Sequence, residues 1–173
     1  MSGFYSIPIG GLKEGKQEYD FDLGAEFFEQ FEEPEITGGS LKAHVESDKR
    51  STHADLTIRI FGTVKVPCDR CLEMMEFPVS CENKLLVKFG KVHDDVDPDI
   101  ITTAADENEL DLAQYFYEYI LLALPIQRIH PDDEHGNSTC DPRMLKKLKE
   151  HVLDEEDYSD PRWDELKKLM NNN

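Results

Sequence analysis

The residues best suited to chemistry are Cys68 and Cys71, separated by Asp69 and Arg70. Two thiols at this spacing in a tight turn aim both sulfurs at one tetrahedral metal ion, and thiolates in such a knuckle select zinc. A redox dithiol of the same spacing would instead open a helix within a βαβ unit. Here the flanks, Val64-Lys65-Val66-Pro67 and Phe77-Pro78-Val79, read as strands, so a structural zinc knuckle is the first expectation and a Cys-x-x-Cys redox protein the rival. A structural zinc site takes four ligands. His130 and Cys140 lead for the other two, with His135 and Cys81 as substitutes; Cys81 lies in an alternating run and reads more simply as a small core residue. Closing the chain from Cys71 to His130 costs roughly 3–4 kcal/mol of loop entropy beyond a constant. Structural zinc contributes on the order of 10 kcal/mol, which outweighs that cost.

No second chemistry stands out. The chain has no Gly-rich phosphate loop, no Gly-x-Ser-x-Gly elbow and no His-Glu-x-x-His, so no catalytic residue is assigned and a non-enzymatic role is expected. His44, His53, His93 and His151 read as surface residues. Cations gather in two places near the C-terminus. Arg143, Lys146, Lys147 and Lys149 share one helical stretch, and Arg162, Trp163, Lys167 and Lys168 share another; both sets are candidates for contact with nucleic acid or a partner. Neighbouring acids favour a face on which these lysines are paired with Glu and Asp.

The 173 residues carry 37 acids against 19 Lys and Arg, a formal charge of −18. Such a surface repels RNA backbone and anionic lipid at long range and attracts basic proteins. A ribosomal protein or assembly factor with a basic surface is the expected partner. No apolar run approaches the roughly 20 residues of a membrane helix, and the first residues lack a basic-then-apolar signal pattern. A cytoplasmic protein with no membrane partner is expected, its four cysteines serving as thiols or metal ligands.

The elements that must position these groups follow from periodicity. Ile7-Pro8-Ile9 reads as a short edge strand. Leu23, Phe27, Phe28 and Phe31 have helical spacing, which predicts a short helix over residues 21–31 with Asp20 as N-cap. From residue 41 the period becomes two: Leu41/Ala43/Val45, Leu56/Ile58/Ile60, Val64/Val66, Phe77/Val79/Cys81 and Leu85/Val87/Phe89. This predicts an antiparallel meander of at least four strands, with turns at Asp48-Lys49, Gly62 and Glu82-Asn83. Residues 92–127 hold nine acids and no Lys or Arg. Their first part predicts an exposed acidic loop, and residues 110–124 predict the principal helix, capped by Asn108 and stopped by Pro125. Asp141-Pro142 and Asp160-Pro161 each predict a helix start, with Asp as N-cap and Pro in the first turn. The expected architecture is α+β: an antiparallel, barrel-like sheet packed by a central helix with helical ends. Residues 1–153 form one domain, and 154–173 an acidic linker and short helix.

Three segments in order carry a resemblance: Val64-Lys65-Val66-Pro67-Cys68-Asp69-Arg70-Cys71-Leu72-Glu73, Leu124-Pro125-Ile126-Gln127-Arg128-Ile129-His130, and Asp160-Pro161-Arg162-Trp163-Asp164-Glu165-Leu166-Lys167-Lys168-Leu169. Together they resemble the YceD-like family, the large ribosomal RNA subunit accumulation proteins of bacteria and plastids. The resemblance implies a non-enzymatic role in accumulation, processing or stability of large-subunit (23S) ribosomal RNA, with structural zinc as the cofactor. A zinc-binding nucleic-acid module is the alternative it leaves, with large-subunit RNA itself as a partner. Family members pair the Cys-x-x-Cys with a second Cys-rich or His/Cys segment after the Leu-Pro. His130 and Cys140 stand at that place, although this chain lacks a second Cys-x-x-Cys.

Overall fold

Strict two-residue alternation governs the longest elements. In the computed structural model, which describes residues 4–10, 14–31, 36–90, 99–104 and 107–151, contacts divide the chain into two compact units. One comprises Met1–Pro67 and Met74–Arg128, the other Cys68–Glu73 and Ile129–Asn173.

The first unit is built on β2 (Gly15–Leu23), β3 (Gly38–Lys49), β4 (His53–Pro67), β5 (Met74–Phe89) and β6 (Ile100–Thr103), which follow β1 (Ser6–Pro8) in the chain. These five form one sheet in the order β2-β3-β4-β5-β6, antiparallel except for the parallel β5/β6 pair. Even-numbered residues of β4 from Ala54 to Ile60, then Val64 and Val66, are buried. Their partners on the same face are Leu41, Ala43 and Val45 of β3 and Val79, Leu85 and Val87 of β5. Each such Leu or Ile contributes about 1.5–3 kcal/mol on burial, which locks the register, since a one-residue slip would expose the whole set. A second sheet pairs β1 with β7 (Glu109–Asp111), Ile7 opposite Leu110. Helix α1 (Ala25–Phe28) buries Phe27 and Phe28. Helix α2 (Ala113–Ala123) buries Ala113, Phe116, Tyr119 and Ile120, with the Phe116 ring 5.4 Å from that of Phe21 on β2.

The α+β class and the mostly antiparallel sheet stand, but several expectations are corrected. The sheet is open, not barrel-like, because β2 and β6 are its two edges among the described residues. The helix expected over residues 21–31 shrinks to one turn. Tyr19, Phe21 and Leu23 pair with Val45, Ala43 and Leu41, so period-two pairing with a distant strand overrides the local helical spacing. The helix expected from residue 110 begins at Ala113, since Leu110 is held in β7 by Ile7; Asp111, not Asn108, accepts the Ala113 amide at 2.9 Å. Gly62 and Glu82-Asn83 are not turns but lie inside β4 and β5. Gly62 has φ +147°, and a Cβ there would sit 2.3 Å from the Ser40 carbonyl oxygen, so glycine serves close strand approach rather than reversal. Strand β6, parallel to β5, was not anticipated. The acidic loop at residues 92–98 and the C-terminal segment 154–173 lie outside the described residues. Among the described residues, no helix is long and apolar enough to cross a membrane.

The second unit is organised differently. Its described residues comprise the turn Cys68–Glu73, a short hairpin, and helix α3 (Pro142–His151). The only buried side chains among them are Cys68, Cys71 and Cys140. Among the described residues, no apolar core organises this unit.

Candidate metal centre

Each half of the site is a turn that brings two donors together. The β4/β5 register pairs Pro67 with Met74, so residues 68–73 must reverse the chain between one rung and the next. The Cys68 amide donates to the Glu73 carbonyl at 2.9 Å, and the Leu72 amide to the Cys68 carbonyl at 2.9 Å. Leu72 takes the left-handed conformation, φ 63°, which costs a non-glycine residue about 1–2 kcal/mol. Such strain persists where surrounding structure over-determines it, as two paired strand ends do here.

The second half is a hairpin whose signal lies in the stretch between His130 and Cys140. Asp133 accepts from the amides of His135 (2.9 Å) and Asn137 (2.7 Å), and the Gly136 amide, at φ 79°, donates to the Asp133 carbonyl at 2.9 Å. Hydrogen bonds from Asn137, backbone then side chain, hold the Asp133 carboxyl below its ordinary range. The turn sets an antiparallel bridge between Asp132 and Ser138. Counting outward by two on each side, that register puts His130 opposite Cys140. The Thr139 hydroxyl closes the ladder on the Pro131 carbonyl at 2.7 Å.

The four donors converge. Cys68 Sγ lies 3.8 Å from Cys140 Sγ, Cys71 Sγ lies 3.4 Å from His130 Nδ1, and Cys140 Sγ lies 3.8 Å from the same nitrogen. All four ligand atoms fall within 4.8 Å of one another. Around zinc, with Zn–S about 2.3 Å and Zn–N about 2.0 Å, tetrahedral edges run about 3.8 Å between sulfurs and about 3.5 Å from sulfur to nitrogen. The observed spacings fit this set, and the donors, three thiols and an imidazole, suit zinc. Burial pushes the Cys68 thiol up, but hydrogen bonds from the backbone of Cys71, Arg70 and His130 and from the His130 ring outweigh it and bring the pKa down to about 6. These hydrogen bonds favour the thiolate form of Cys68, the form that binds a metal. Burial raises the Cys71 thiol, against hydrogen bonds from the backbone of Asp141 and Glu73.

A family model described as Large ribosomal RNA subunit accumulation protein YceD matches residues 56–170. The chain belongs to the YceD family. Comparison with curated proteins and with solved structures finds no match. In this YceD-family chain the matched span contains all four donors. Two of them, His130 and Cys140, are hairpin residues ten apart in sequence.

The two substitute ligands are left out of the cluster. Cys81 is on β5 with its Sγ 3.8 Å from the Tyr119 carbonyl, and burial raises its thiol pKa. His135 is exposed in the Asp133 turn. Arg143, Lys146, Lys147 and Lys149 lie exposed on α3, one residue beyond the Cys140–Asp141 junction. Among the described residues, the one ion pair on α3 joins Arg143 to Asp141 at 3.7 Å; the acids at 154–157, which the expected pairing of the lysines draws on, lie outside them. Arg162, Trp163, Lys167 and Lys168 lie outside the described residues.

Proposed function

We propose that this YceD-family protein is a non-enzymatic cytoplasmic factor for the accumulation of large-subunit ribosomal RNA, and that zinc held by Cys68, Cys71, His130 and Cys140 organises the turn and hairpin whose described residues bury little besides these cysteines. The observation that carries the reading is the Cys3His cluster inside the family-matched span. Four protein donors complete a tetrahedral shell, and a closed shell is structural, whereas catalytic zinc keeps a position for water or substrate. The net charge of −18 supports docking to a basic ribosomal protein or assembly factor. Glu18, Asp20 and Asp22 supply part of that surface along the edge strand β2.

The test is depletion of the protein, with measurement of mature 23S-type RNA against small-subunit RNA, and complementation by the wild type and by Cys68→Ser. Loss of large-subunit RNA, restored by the wild type and not by a Cys68→Ser protein that accumulates normally, is the expected result. Unchanged large-subunit RNA on depletion would refute the function. Full rescue by Cys68→Ser would refute the role of the metal.

A further inference from the structure

The cations of α3 run against the trend of the whole molecule. Arg143, Lys146, Lys147 and Lys149 occupy one short stretch of a chain that carries 37 acids against 19 Lys and Arg. No residue of α3 is buried. Arg143 is capped at the helix start, its amide 3.0 Å from the Asp141 carboxylate and its guanidinium 3.7 Å from the same group. Lys146, Lys147 and Lys149 are exposed and have no acid partner among the described residues. With 3.6 residues per turn, the four cations span an arc of about 160°, and Met144, Leu145 and Leu148 span about 100° on the other side. The single acid of the helix, Glu150, falls within the cationic arc, leaving a surplus of positive charge there.

We propose that the cationic face of α3 contacts the phosphodiester backbone of RNA. This deepens the function above and rests on it for the choice of RNA. The argument is charge complementarity. Unpaired exposed lysines displace counterions from phosphates, and that release drives binding without base contacts. The acidic remainder of the chain repels the same polyanion, so contact is confined to α3 and is weak and local. A membrane surface fits less well, because interfacial helices bury a broad apolar face. On α3 Met144 and Leu145 are already half-buried, and only Leu148, 46% exposed, remains. Asp141, which caps the start of α3, directly follows Cys140 of the donor cluster.

The experiment is fluorescence anisotropy of a labelled single-stranded RNA of mixed sequence, titrated with the full zinc-loaded chain over a salt series. Three to four phosphate contacts predict a slope of log K against log salt of about −2 to −3, a fall of roughly 15- to 60-fold between 50 and 200 mM. The K146E/K147E/K149E variant, with its zinc content and circular dichroism unchanged, is expected to lose at least about tenfold in affinity and most of that slope. No binding by the wild type at low salt would overturn the proposal, as would a variant with the wild-type slope. Preference for anionic vesicles over RNA would also overturn it. So would a variant that binds RNA normally yet fails to support large-subunit RNA in cells, which would make α3 a protein contact. Depletion without effect on large-subunit RNA would instead refute the cellular function and not the in vitro binding by α3.

Discussion

Removing the metal should unfold one part of this protein and spare the rest. The described residues of the second unit, 68–73 and 129–151, bury no side chain except Cys68, Cys71 and Cys140. Without metal, a buried cluster of three thiols and an imidazole has little to hold it against chain entropy. Strands β5 and β6 and helix α2, between Cys71 and His130, stay folded, so the chain to be closed is the stretch just beyond Arg128, and closing about ten flexible residues costs about 2 kcal/mol. Against about 10 kcal/mol from structural zinc, about 8 kcal/mol remains for the local structure, equivalent to about six orders of magnitude in the opening equilibrium. Hydrogen–deuterium exchange read by mass spectrometry on chelated and zinc-loaded protein is the assay. Amides of residues 129–140 should lose protection by up to about that factor, while those of β3, β4 and β5 exchange as before. The reasoning fails if zinc-loaded protein, with one metal per chain, and chelated protein show the same exchange over residues 129–140.

Metal content should fall to near zero in Cys140→Ser and stay at the wild-type value in Cys81→Ala, read by elemental analysis; loss in Cys81→Ala would refute the ligand set. Tyr119 has a buried hydroxyl with no hydrogen-bond partner among the described residues, and burial, then the nearby Asp99, pushes its pKa to about 12. Tyr119→Phe should therefore be neutral to about 1 kcal/mol stabilising at pH 7 in urea unfolding. The folded pKa lies above the ordinary 10, so the unfolded chain ionises first and wild-type stability falls from about pH 10 towards pH 12; Tyr119→Phe should show a shallower fall. Gly62→Ala should destabilise by about 2–4 kcal/mol in the same assay, because its Cβ would meet the Ser40 oxygen at 2.3 Å and Leu41 Cα at 2.6 Å, both backbone.

What the sequence determined by itself is whatever depends on neighbours along the chain. The alternation of Leu56, Ile58, Ile60, Val64 and Val66 keeps one parity straight through Gly62, so the length of β4 was already written there, though a glycine inside it reads as a turn. Asp141-Pro142 fixes the start of α3 by side-chain capping, and Cys-x-x-Cys announces a knuckle because both sulfurs share one turn. Only tertiary structure decided matters that turn on pairing between distant segments. Leu110 fits a helical stripe until Ile7, a hundred residues earlier, claims it for a strand, and the parallel partner of β5 has no local signature at all. The sequence ranked His130 and Cys140 ahead of His135 and Cys81, but bringing the first pair to Cys68 and Cys71 belongs to the same class. Residue type made all four eligible, but the Asp132–Ser138 register carries the first two to Cys68 and Cys71 and turns His135 out to solvent, while β5 aims Cys81 at Tyr119. A ligand's identity is a property of one residue; its membership in a metal shell is a distance, and distances between remote segments are set by the fold.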